Sequence, residues 1–162
     1  MTDFIALLRV LAKEAVDFIL VGGVAAAAHG SARLTQDVDI VYSRDPKNII
    51  RLVSALAPCN PYLRGAPPGL PFRWSAETLS NGLNFTLTTS IGDIDLFGEI
   101  AGGGSYEGLL EDTVTLRISG IECRCVSLQR LILLKRAAGR PRDLDVIAEL
   151  EAILEESGGT AE

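Results

Sequence analysis

The chain has 162 residues, 48% hydrophobic and 22% charged, with a formal net charge of −6. That length suits one domain, and the composition excludes wholesale disorder. The acidic balance excludes a broad basic surface for extended nucleic acid.

The first predicted element is an amphipathic helix over residues 3–16. Phe4, Leu7, Leu8, Leu11 and Ala15 recur at helical spacing, with Thr2 placed to cap it. An apolar strand, Phe18–Val21, follows and is broken by Gly22-Gly23. The alanine run that comes next starts a short helix, with Gly30 as its stop. A second strand spans Val38–Tyr42, and a helix opens at Pro46 with Ile49, Ile50, Val53 and Leu56 on its buried side to about Ala57. Residues 58–71, carrying Pro58, Pro61, Pro67, Pro68 and Pro71, read as a surface loop. Strands Asn84–Thr88 and Asp93–Phe97 are close enough to form an antiparallel hairpin, and Ala101–Ser105 is a flexible loop. A further hairpin joins Thr113–Ser119 to Ile121–Val126. Ser127 caps a helix from Leu128 to Ala138, which Gly139 ends. Pro141 starts a last helix with Leu144, Ile147, Leu150 and Leu154 inward. The expected organisation is one α/β (α+β) domain over residues 1–156, a mixed sheet flanked by helices, with a frayed tail at 157–162.

No apolar run is long enough to span a bilayer, and residues 1–17 carry Asp3, Arg9, Lys13, Glu14 and Asp17, unlike a secretory leader. Cys59, Cys123 and Cys125 form neither a disulfide framework nor a zinc pattern. Cys123 and Cys125 alternate with Glu122 and Arg124, so both are expected in the core. These features point to a cytoplasmic protein.

The chemistry-bearing residues lie on the strands. Successive strand side chains point to opposite faces, so Asp37 and Asp39 share one face and Val38 and Ile40 the other. Two carboxylates about 7 Å apart along one strand repel each other unless a cation sits between them, which suits Mg²⁺ or Mn²⁺. The bland reading is a solvated strand face. It is weakened by the scarcity of Asp in strands and by a second copy of the pattern at Asp93 and Asp95. Convergence of these acids would match two-metal phosphoryl chemistry. Gly22-Gly23 between strand and helix lets backbone approach a phosphate, or is simply a tight turn. It fits neither a G-x-G-x-x-G fingerprint nor a Walker A loop. Lys135 either snorkels from the core or meets a charged ligand. Arg33 and Thr35 bind phosphate or pair with an acid. His29 reads as a helix-end residue, and Trp74 and Tyr106 as packing or as base-stacking platforms.

Taken together, a Gly-Gly turn, a helix, an Asp-x-Asp strand and a later Asp on a neighbouring strand resemble the nucleotidyltransferases of DNA polymerase β-like fold. The stretch between Gly23 and Asp37, residues 24–36, fits that pattern. Gly30, Arg33, Thr35 and Asp37-Val38-Asp39 look like small bacterial members, including abortive-infection and toxin–antitoxin types. The segment from Leu131 to Asp143 looks like their Lys-containing helix followed by Arg-x-x-Asp, here Arg140 to Asp143. The resemblance covers most of residues 16–150 and implies a minimal nucleotidyltransferase fold. It implies that Asp37 and Asp39 ligate Mg²⁺ (or Mn²⁺) and that Asp95, ahead of Asp93, is the third acid and helps deprotonate an incoming hydroxyl. It further implies that Gly22, Gly23, Arg33, Thr35, Lys135 and Asp143 bind the nucleotide. The implied reaction moves an NMP from an NTP to a hydroxyl on a small molecule, protein or RNA end, releasing pyrophosphate. The alternative is a nucleotide-binding component of weak activity that works with a protein partner, an antitoxin or small helical protein.

Overall fold

A computed structural model describes residues 1–158. The first helix, α1, runs Phe4–Lys13, shorter than the periodicity suggested because Ala15 turns into the left-handed region at φ 56°. Its cap is Asp3, whose carboxylate accepts from the Ala6 N–H at 3.0 Å, and not Thr2. Thr2 serves elsewhere. Its hydroxyl donates to the Gln36 carbonyl at 2.6 Å and accepts from the Asp93 N–H at 3.0 Å, which ties two strand beginnings together.

Strand β1 (Phe18–Val21) leads directly into α2 (Gly22–Ala28), so the glycines are the first turn of this helix and do not stand outside it. Strand β2 (Asp37–Tyr42) follows, then α3 (Pro46–Leu56), capped by Asp45 with Pro46 in its first turn. Ile50 of α3 is exposed, contrary to the expected buried stripe, which runs through Ile49, Leu52 and Leu56. The proline-rich segment holds a two-residue strand, β3 (Tyr62–Leu63), that its composition concealed. A short helix α4 (Ala76–Asn81) comes next, then the hairpin of β4 (Asn84–Thr89) and β5 (Gly92–Phe97). A single-turn helix α5 (Tyr106–Leu109) precedes the hairpin of β6 (Thr113–Ile118) and β7 (Ile121–Val126). Helix α6 (Leu128–Ala138) has its predicted ends. The Ser127 side chain accepts from the Arg130 N–H, and Gly139 closes the helix at φ 65°. Pro141–Asp143 form a 3₁₀ turn before α7 (Leu144–Glu156). Leu144 therefore stands at the outer start of α7, 66% exposed, and only Leu150 of the expected inward set is fully buried. The expected frayed tail falls, from residue 159 on, outside the described residues.

The strands form one seven-stranded mixed sheet in the order β3-β4-β5-β2-β1-β7-β6. β1 is parallel to β7 and antiparallel to β2, while β2 is parallel to β5. A central strand is covered on both faces, which is why β1 reads as an unbroken apolar run. Val38, Ile40, Ile94 and Leu96 are fully buried on one face of β2 and β5. Helices α1 and α3 pack together, as do α6 and α7, and α2 meets β1, β2 and α6. Among the described residues no helix is long and apolar enough to cross a membrane. Cys59, Cys123 and Cys125 are buried free thiols.

Candidate active site

Sheet register decides where the acids go. In the parallel pair of β2 and β5, Asp37 lies beside Asp93 and Asp39 beside Asp95. The two Asp-x-Asp patterns therefore point to the same face, opposite the buried Val38, Ile40, Ile94 and Leu96. Carboxylate oxygens of Asp37, Asp39 and Asp95 all lie within 4.8 Å of one another. Asp93 stands one step outside that group.

The start of α2 approaches this face closely. Gly22 has φ 67°, and a β-carbon on it would overlap the Asp39 carboxylate. A β-carbon on Gly23 would lie 2.5 Å from Thr35 Oγ1. Both glycines thus leave room for site side chains, and α2, at seven residues, adds only a short dipole. Thr35 donates to the Asp37 carbonyl at 3.2 Å and faces the same cleft. Arg33 does not enter the cleft; it lies 3.6 Å from Glu149 of α7. Glu149 also accepts from Ser31 Oγ at 2.7 Å and from the Ala32 N–H at 2.9 Å, fastening the segment before β2 to α7.

Lys135 and Asp143 come from the far wall. Lys135 is 9% exposed and Asp143 4%. Their charged atoms are 3.7 Å apart, and Arg140 Nε donates to the other Asp143 oxygen at 2.7 Å. One buried carboxylate thus holds two cations, and both Lys135 and Arg140 line the cleft. Arg140 was legible only as part of the Arg-x-x-Asp pattern. Of the remaining candidates, His29 closes α2 and its Nε2 lies 2.8 Å from the Val126 carbonyl. Trp74 Nε1 donates to the Val53 carbonyl at 3.0 Å while its ring packs on the core, and Tyr106 is buried and lines a separate small pocket with Asp17 and Arg124.

One residue of the site escaped sequence reading altogether. Arg64 follows β3, with its N–H bonded to the Thr86 carbonyl at 3.0 Å. Its side chain crosses β4 and reaches the acids. Nη2 donates to Asp95 Oδ1 at 2.7 Å, Nε is 3.4 Å from Asp93 Oδ2, and Nη1 is 3.5 Å from Asp37 Oδ2. An arginine in a proline-rich loop carries no sequence signal for such a role.

Asp39 receives no hydrogen bond from Arg64, and its buried Oδ1 finds no hydrogen-bond donor. Burial, then the charges of Asp37 and Asp95 and a carboxyl–carboxyl hydrogen bond with Asp95, push Asp39 up to about 8, against the lowering influence of Lys135. Burial, then Asp95, also raises Asp37, against the lowering influence of Arg64. A buried oxygen without a partner, among three gathered carboxylates, is a donor set that fits a hard divalent cation such as Mg²⁺ or Mn²⁺.

Asp37, Asp39, Asp95, Gly22, Gly23, Thr35, Lys135, Arg140 and Arg142 line one cleft of about 670 Å³. That volume is ordinary for a small-molecule site.

Solved structures share this architecture. The lincomycin-bound lincosamide antibiotic adenylyltransferase LnuA is similar with a TM-score of 0.61 and 15% identity, over 93% of this chain and 95% of that one. ANT(2'')-Ia in complex with adenylyl-2''-tobramycin gives 0.58 and 13% identity, over 96% and 88%. An antigenic nucleotidyltransferase-like protein from Paracoccidioides brasiliensis gives 0.58 and 16%, over 91% and 71%. No family model matches the sequence, and no curated protein matches it. The fold is the nucleotidyltransferase fold, and at these identities the likeness extends to the fold alone.

Proposed function

We propose that this chain transfers a nucleoside monophosphate from an NTP to a hydroxyl acceptor, releasing pyrophosphate. The observation that carries the reading is the convergence of Asp37, Asp39 and Asp95 beside the Gly22 turn. These three carboxylates would hold Mg²⁺ or Mn²⁺, which when bound neutralises triphosphate charge and stabilises the developing oxyanions. In the transfer, the acceptor oxygen bonds to the α-phosphorus and the bond to the β-bridging oxygen breaks. The hydroxyl proton passes to Asp95. Lys135 and Arg140, both held by Asp143, give the triphosphate its cationic wall, and Gly22, Gly23 and Thr35 form the opposite one. Arg33 acts at most from outside the cleft. Almost all of the acceleration comes from positioning and fixed charge.

The acceptor that best suits the cleft is a small hydroxylated molecule, with donor and acceptor both accommodated by the single domain over residues 1–156. The LnuA and ANT(2'')-Ia structures, seen with lincomycin and an adenylylated tobramycin, support that class. The acidic net charge argues against an extended nucleic acid. Three buried thiols and no disulfide among the described residues support a cytoplasmic setting. The test is pyrophosphate release from NTPs with Mg²⁺ or Mn²⁺ and a panel of hydroxylated acceptors, a signal that Asp37→Ala should abolish. Tight binding of a non-hydrolysable NTP with no turnover would instead favour the nucleotide-binding component of a two-protein system.

A further inference from the structure

Four acids meet on one face of β2 and β5, and the protein supplies one cation of its own to their outer side. We propose that Arg64 is this resident counter-cation and a positioning residue. It leaves the resting site open to one divalent ion at Asp37 and Asp39 and guards Asp95 against a second. The inference rests on the metal-dependent reading above.

The geometry is uneven in a way that supports it. The guanidinium binds Asp95 Oδ1 at 2.7 Å and lies within 3.5 Å of Asp93 and Asp37 oxygens. Asp39 has none of this cover, and its Oδ1 has no partner. The oxygen left without a protein partner is therefore on the Asp39 side. An ion arriving there displaces no arginine, whereas one that uses Asp95 Oδ1 must displace a charge-assisted hydrogen bond. The reach belongs to arginine. From beyond β3 the side chain spans β4 to touch acids on β5 and β2, and its planar fork presents three nitrogens to three carboxylates. Its backbone is fixed at the sheet edge by the bond to Thr86, and Nη2 donates also to the Leu87 carbonyl at 2.7 Å. These anchors hold the guanidinium where it can yield Asp95 and return.

Titration with Mn²⁺ alone, followed by loss of the free-ion EPR signal, tests this without any turnover. Wild type should bind one ion, with a second at least about tenfold weaker, since a full positive charge lies beside the second position. Arg64→Gln should take up two ions, the second tightened by about that factor. Arg64→Lys keeps the charge but reaches fewer acids, and should fall between the two. Circular dichroism checks that each variant is folded, and if Arg64→Gln fails to fold, the lysine variant carries the comparison. Wild-type stoichiometry and affinities in folded Arg64→Gln, or in the lysine variant where that substitutes, overturn the proposal while leaving the metal site intact. Asp37→Asn is the separate control. If it binds Mn²⁺ as wild type does, the metal reading itself fails, and the role of Arg64 goes with it.

Discussion

Asp39 is kept in a place where its own charge is unwelcome. Its folded-state pKa is pushed up to about 8, against roughly 3.9 for an unfolded Asp. Between those values the folded chain keeps a proton that the unfolded chain has released. Without metal, stability should then fall as pH rises from about 4 to about 8 and level off above. Asp39→Asn removes the dependence by supplying a neutral side chain of the same shape. In EDTA the variant should be more stable than wild type at pH 8, by about 5 kcal/mol, with the gap closing toward pH 4. Thermal melts across that range decide it, and a gap independent of pH would rule the account out. Asp143 poses the opposite case. It is the buried anion for Lys135 and Arg140, so Asp143→Ala strands a buried ammonium. A loss of about 3 kcal/mol is expected in urea unfolding, together with a higher KM for the NTP.

At the scale of elements, the junction of β1 and α2 sets the approach to the acids. Gly22→Ala combines positive-φ strain of about 1–2 kcal/mol with overlap on Asp39. It should lower the melting temperature and also abolish Mn²⁺ binding. Gly30, at φ 112°, has only Ile153 near its would-be β-carbon, at 3.8 Å. Gly30→Ala should cost stability and leave Mn²⁺ binding untouched, and loss of binding there would mean general unfolding explains both. Local signals of this kind were readable in the chain itself. Ser127 and Gly139 bound α6, and the alternation of Asp93 to Phe97 marks a strand. The misses come where distant contacts override local preference. Thr2 is drawn away from capping by Gln36 and Asp93, and Leu144 sits outside because a 3₁₀ turn delays α7. Two residues of β3 between prolines are strand only because β4 offers Thr88 and Leu87 as partners. Arg64 was illegible for the same reason, since its acids are brought to it by two intervening pairings.

Across the whole molecule, the fold brings like charges together on purpose. The order β5-β2-β1 makes two strands far apart in the chain parallel neighbours, and their register sets Asp37 against Asp93 and Asp39 against Asp95. A one-residue slip would send one pair of acids into the apolar face, so the buried Val38, Ile40, Ile94 and Leu96 enforce the convergence. That arrangement stores repulsion which the unfolded chain does not have. A divalent ion that binds only the folded state then stabilises it by mass action, about 2.7 kcal/mol at a hundred times its Kd. For a chain of this size each kcal/mol is worth roughly 2–4 °C, so saturating Mn²⁺ should raise the melting temperature by about 5–10 °C. Diffuse screening by salt would also relieve repulsion, and NaCl at matched ionic strength separates the two effects. The site predicts a rise with Mn²⁺ well beyond that with NaCl, and none beyond NaCl in Asp37→Asn. Equal rises with both salts would mean that the acids feel only bulk screening and gather no ion.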